Sequence, residues 1–294
     1  MGTVDHPSTV KQGNFRAVAG IVFIMAGGLL FLDRYLKTGW LSLFILPAIG
    51  FFLYVWGIRA RHLGAIVAGG LLSGVGIGSI AAWGTSIQPF VPGMDLEVSV
   101  RPLHIQIGLL ALFTGVGWAA VAISTIAFTA RGTWWALIPA GILGGLGACL
   151  LFTEMHWFDF VFYLALGTGL PLLFWGLVSR LFGLVIPGSL LITIGTGIYM
   201  AWQTPNIGNA LVQTGIMLVW FSGGWFMISL GGRYLWQRYI WWPLIPGSIL
   251  AVVGVGLYIG GDPSRALGFI GNTGSIALMI FGLYLLLMRK SIHH

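Results

Sequence analysis

Ten stretches of about twenty mostly apolar residues follow one another along this chain of 294 residues, and none has a charge at its middle. A helix needs about 20 such residues to cross the hydrocarbon core of a bilayer. Inside lipid the backbone must satisfy its own amides and carbonyls, which leaves only helices and closed barrels. The runs are continuous rather than alternating with period two, so a barrel is excluded. The spacing predicts ten spanning helices over 17–35, 40–58, 63–83, 104–129, 134–153, 158–179, 181–202, 208–230, 241–260 and 265–288. The expected fold class is an all-α polytopic transmembrane bundle. Only 7% of the residues are charged, against roughly a quarter in a soluble domain, so the chain could not cover its surface in water.

The cations stand singly or in pairs between the apolar runs. No basic stripe forms, so the net charge of +7 does not point to nucleic acid. It sorts by side of the membrane instead. With the N-terminus inside, the inner segments hold ten of the 14 Lys and Arg residues, among them Arg59, Arg61, Arg131, Arg180, Arg233 and Arg238. The outer segments hold Arg34, Lys37, Arg101 and Arg265. That asymmetry places both termini in the cytoplasm, with tails over 1–16 and 289–294. The polar start and the lack of a small-residue cleavage site after the first run speak against a secretory signal. Cys149 lies in an apolar run and reads as a small buried hydrophobe.

A short pattern recurs at the start of the odd-numbered runs. Leu137-Ile-Pro-Ala-Gly-Ile-Leu is followed by Gly147, Val185-Ile-Pro-Gly-Ser-Leu-Leu by Gly195, and Leu244-Ile-Pro-Gly-Ser-Ile-Leu by Gly254. Ile66-Val-Ala-Gly-Gly-Leu-Leu with Gly76 is a fourth copy, and Val18-Ala-Gly-Ile-Val a weaker fifth. Pro139, Pro187 and Pro246 suit a first helical turn, where no amide donor is needed. The glycines let helix backbones approach closely. The pattern predicts five tandem hairpins, near 17–58, 63–129, 134–179, 181–230 and 241–288, with an outer loop over 84–103.

This repeat resembles the Gly-rich transmembrane hairpins of bacterial membrane proteins of the Lia envelope-stress type (LiaI/LiaF-like). The resemblance covers most of the chain as several copies. It implies a bacterial cytoplasmic (inner) membrane and an envelope or regulatory role, and it supplies no catalytic residues. The ten expected helices and the lack of a soluble domain depart from that group.

Chemistry is sparse. An ionisable group deep in a span is the usual sign of transport or proton relay, and the runs contain none. The histidines that would ligate a haem or pigment, His104 and His156, fall at outer helix ends and form no matched pair. Glu154, His156 and Asp159 are the best metal-like cluster, but a zinc site would need a fourth ligand. Ser189 and Ser248 have no base in reach, and the glycine runs lack the strand and lysine of a phosphate loop. No catalytic residue and no cofactor is therefore expected. Polar residues gather on the outer side, at Gln88, Gln106, Gln203, Asn206, Asn209, Gln213 and Asn272. With the 84–103 loop they are expected to line an outer vestibule, and the loop itself is expected either to dock a partner protein or to form an ordered lid on the bundle. The function expected is a non-enzymatic structural, accessory or regulatory membrane subunit. The alternative is a permease or channel for a neutral or lipid-like solute, with Gln213, Asn272 or Thr196 lining its path.

Overall fold

The computed structural model describes residues 9–36, 41–83, 101–128, 132–152, 156–203, 209–237 and 240–260, with Gly268, 271–279 and Gly282. Among the described residues there is no strand, and the chain forms α1 (Thr9–Leu36), α2 (Leu41–Ala60), α3 (Leu63–Trp83), α4 (Leu103–Phe128), α5 (Leu137–Phe152), α6 (Trp157–Val178), α7 (Phe182–Trp202), α8 (Ala210–Trp236) and α9 (Leu244–Gly260). A single 3-10 turn, Trp134–Ala136, leads into α5. Among the described residues, seven helical stretches are long and apolar enough to cross a membrane. The chain is a multi-pass membrane protein built of helical bundles.

The helices follow the apolar runs closely, with differences at the ends. Helix α1 begins at Thr9, inside the segment expected to be a tail. Helix α8 continues past 230 to Trp236 because its last turns remain packed. Ile228 and Leu235 are buried there, and the Ser229 hydroxyl donates to the Ile240 carbonyl at 2.7 Å. Of the tenth run, 271–279 is helical and most of the remainder lies outside the described residues.

The chain divides into two compact units, Met1–Phe152 and Thr153–His294. In unit 1, α2 packs on α3, α3 on α4 and α4 on α5, while α1 touches α2 lightly. In unit 2, α6 packs on α7, α7 on α8 and α8 on α9. The division falls between α5 and α6, inside the hairpin expected over 134–179.

Lipid tails give helices little hydrophobic reason to associate, so close packing must hold them together. Glycine supplies the closeness at matching places in both units. A Cβ at Gly57 would lie 2.7 Å from the Ile66 amide nitrogen, and one at Gly176 would lie 2.9 Å from that of Val185. Gly69 meets the backbone of Tyr54 and Gly50, and Gly188 meets that of Leu173 and Gly169. Each of these residues in unit 2 stands 119 positions after its counterpart. In the second half of each unit the separation is 107. Gly147 would bring a Cβ to 2.7 Å from the Leu112 amide, and Gly254 to 2.9 Å from that of Val219. The two separations differ by 12 residues, which is the extra length of the 84–102 connection over 203–209.

The turns match as well. The His62 amide donates to the Gly57 carbonyl at 2.9 Å, and the Leu181 amide to the Gly176 carbonyl at 2.8 Å. These six-to-one bonds close helix ends in which the preceding residue is left-handed. That residue is Arg61 (φ 51°) in unit 1 and Arg180 (φ 54°) in unit 2.

The repeated prolines are not equivalent. Pro139 and Pro246 are the third residues of α5 and α9. Pro187 is the sixth residue of α7, so it lies inside the helix rather than in the first turn, and it withholds an amide from the carbonyl four residues back. Gly195, eight residues on, is buried against the Ala165 side chain.

Candidate functional site

The cluster expected at 154–159 is partly assembled. Helix α6 starts after His156, whose backbone is extended (φ −76°, ψ 143°) and whose side chain does not cap the helix. Asp159 therefore falls in the first turn, where the positive end of the helix dipole favours a carboxylate. Its side chain is 3% exposed, and one oxygen, Oδ2, lies 3.6 Å from Nδ1 of the largely exposed His156. The other oxygen, Oδ1, is buried without a hydrogen-bond partner. Aromatic rings surround this end of α6, with Phe158 stacked on Trp202 at 5.8 Å and Trp157 on Phe160 at 5.7 Å. Glu154 lies outside the described residues. The pair offers two donors where a structural metal takes four. His104 is exposed at the second position of α4, in the other unit.

The outer polar residues have local roles. Gln106 is buried and its amide donates to the Arg101 carbonyl at 2.9 Å. Arg101 in turn donates to the Ala81 carbonyl, in the last turn of α3, where a cation complements the helix dipole. Asn209 caps α8 by accepting from the Val212 amide at 3.2 Å. Gln203 and Asn272 are exposed, and Gln88 and Asn206 lie outside the described residues.

Within the spans, hydroxyl groups are satisfied by their own helices. Ser73, Ser79, Thr114, Thr168, Ser189 and Thr196 each donate to the carbonyl four residues back, at 2.7–2.8 Å. Thr125 bonds both its own helix and Thr133, beside the 3-10 turn that leads into α5. Each of these hydroxyls thus spends its proton within its own helix and keeps its oxygen as an acceptor.

Each unit holds an apolar cavity among its described residues. In unit 1 a cavity of about 180 Å³ lies between α2 and α4 over the glycines of α3, lined by Phe51, Tyr54, Gly70, Gly74, Phe113 and Ala120. The Tyr54 hydroxyl crosses this groove and donates to the Ala120 carbonyl at 2.9 Å. In unit 2 a cavity of about 500 Å³ lies between α6 and α8, lined by Leu173, Leu177, Met227, Leu230, Gly231 and Tyr234. Leu173 stands 119 positions after Tyr54, and Met227 stands 107 after Ala120. The two cavities share these two positions and otherwise occupy different stretches of the groove: the one in unit 1 runs away from the α2–α3 turn, the one in unit 2 toward the α6–α7 turn. Sequence reading missed the groove, because a single Tyr-to-Leu difference between two apolar helices carries no signal until the helices are paired.

No family model matches the chain, no curated protein matches it, and no solved structure does. The site must be read from its own geometry.

Proposed function

We propose that this chain is a non-enzymatic subunit of a bacterial cytoplasmic membrane, with both termini in the cytoplasm, that works by packing and by contacts of its outer loop. One observation carries the reading. Many of the glycines of the described spans face a neighbouring helix of their own unit, and no Asp, Glu, Lys, Arg or His lies in the apolar middle of a described helix. An ion-coupled carrier needs such groups at depth. The Gly-rich hairpin pattern supports the same setting through its resemblance to Lia-type proteins. The matching contacts of α2–α5 and α6–α9 support an origin by duplication of a four-helix segment.

The partner-facing part in this reading is the outer loop 84–103, of which 84–100 lies outside the described residues. The test is native electrophoresis of mildly solubilised membranes. A discrete complex heavier than the 31.7 kDa chain is expected, and deletion of 90–101 should dissolve it while the chain stays in the membrane. A chain that migrates alone in every detergent, or that sustains solute flux by itself in proteoliposomes, would overturn the reading.

A further inference from the structure

We propose that the groove between α6 and α8 binds one anionic phospholipid, an acyl chain lying against Leu173, Leu177 and Met227 and its phosphate meeting Arg180 and Arg233. The inference goes beyond the subunit reading and does not depend on it.

The cavity comes first. At about 500 Å³ it falls in the size range of ligand pockets, roughly 300–1,000 Å³. Its volume has a local cause. Where unit 1 has Tyr54 reaching to Ala120, unit 2 has Leu173, which has no hydroxyl to reach Met227. Where unit 1 has buried Ser124, unit 2 has Gly231. Both differences remove atoms from the same groove.

The lining decides the class of ligand. It is apolar along its length except for the hydroxyl of Tyr234, which is 72% exposed. Tyrosine favours the level of the lipid headgroups, with its ring in the apolar layer and its hydroxyl in the wet one. Two cations stand within two residues of the lining. Arg180 follows Val178 of the lining by two residues, in the turn after α6, and Arg233 precedes Tyr234 in the last turn of α8. Both arginines are exposed. Asp159, the described acid of unit 2, sits at the opposite end of α6. An apolar slot with two cations beside its lining complements an anionic lipid, as basic pockets between spanning helices do for acidic headgroups.

Unit 1 is the built-in comparison. It carries cations at the corresponding turn, Arg59 and Arg61, but Tyr54 bridges its groove, and its cavity lies beyond that bridge from the turn, along Phe51 and Gly74. The groove, and not the charge alone, is what sets unit 2 apart.

The test is native mass spectrometry of the full detergent-purified chain titrated with phosphatidylglycerol or with phosphatidylcholine of the same acyl chains. One phosphatidylglycerol per chain is expected, held about thirtyfold more tightly than phosphatidylcholine, from roughly fivefold per arginine. Leu173→Tyr, which copies unit 1, should weaken both lipids at least about tenfold, the worth of losing roughly two buried methylenes of contact. The double variant Arg180→Gln/Arg233→Gln should abolish the preference and keep the phosphatidylcholine affinity. Tyr54→Leu should open the unit 1 groove and add a second bound phosphatidylglycerol. Met227→Trp fills the slot from the opposite wall and stands in should the Leu173 variant fail to fold. Equal affinity for the two lipids in the unaltered chain, or unchanged binding in folded Leu173→Tyr or Met227→Trp protein, would overturn the proposal.

Discussion

Tyr54 donates its hydroxyl to the carbonyl of Ala120, 66 residues away, and so ties α2 to α4 across the glycine face of α3. Hydrogen bonds between helices in lipid stabilise by about 0.6 kcal/mol on average, with a maximum near 1.7. Tyr54→Phe keeps the ring and removes the bond. A loss of about 0.5–1.5 kcal/mol is expected in an unfolding titration in mixed micelles, and an unchanged midpoint would show that the bond is not formed in the bilayer.

Glycines along one helix should differ sharply in tolerance. Gly147 and Gly144 both belong to α5, yet a Cβ at Gly147 would crowd the Leu112 amide while one at Gly144 would meet nothing within 4 Å. Gly147→Ala is expected to destabilise by roughly 1–3 kcal/mol through overpacking. Gly144→Ala is expected to be neutral or to stabilise by up to about 1 kcal/mol through helix propensity. Comparing the two denaturation midpoints checks this, and equal effects would contradict the α4–α5 packing.

The left-handed arginines offer a third test. A non-glycine residue at positive φ carries a strain of about 1–2 kcal/mol, and Arg61 and Arg180 both sit there. Arg180→Gly should raise stability by about 1 kcal/mol, where Arg180→Gln should not. If glycine gives no gain over glutamine, the turn after α6 does not close as described.

Cys149 is 2% exposed, deep in α5. An impermeant maleimide should leave it unlabelled in intact membranes and label it fully after denaturation. A cysteine introduced at Ser99 should react from the periplasmic face only, given the proposed orientation. Labelling of Cys149 in the native membrane would mean that α5 is not packed against α4.

The helices were legible in the sequence because apolar length alone defines them. The run over 63–83 matches α3 at both ends. The extension of α8 was hidden, because Gly231-Gly232-Arg233 looks like a helix end until Ile228 and Leu235 are seen to be buried. The grouping of helices was harder still. Each Ile-Pro-Gly copy resembles every other, and the longer 84–102 connection turns one spacing into two, 119 and 107. What identifies partners is which glycine faces which backbone, as Gly108 faces Gly147 and Gly215 faces Gly254. The His156–Asp159 contact was readable, since an i, i+3 pair at a helix start is local. The unbridged groove of unit 2 was not, because it depends on what Leu173 lacks.

The α2–α3 and α6–α7 turns are closed by the chain's own carbonyls, at Gly57 and Gly176, within a few residues. A hairpin sealed in this way leaves few backbone carbonyls unpaired at its arginine-bearing bend. It can pass from the ribosome's insertion machinery into the bilayer as one piece, both limbs together, and the order of synthesis then delivers each unit around a preformed pair.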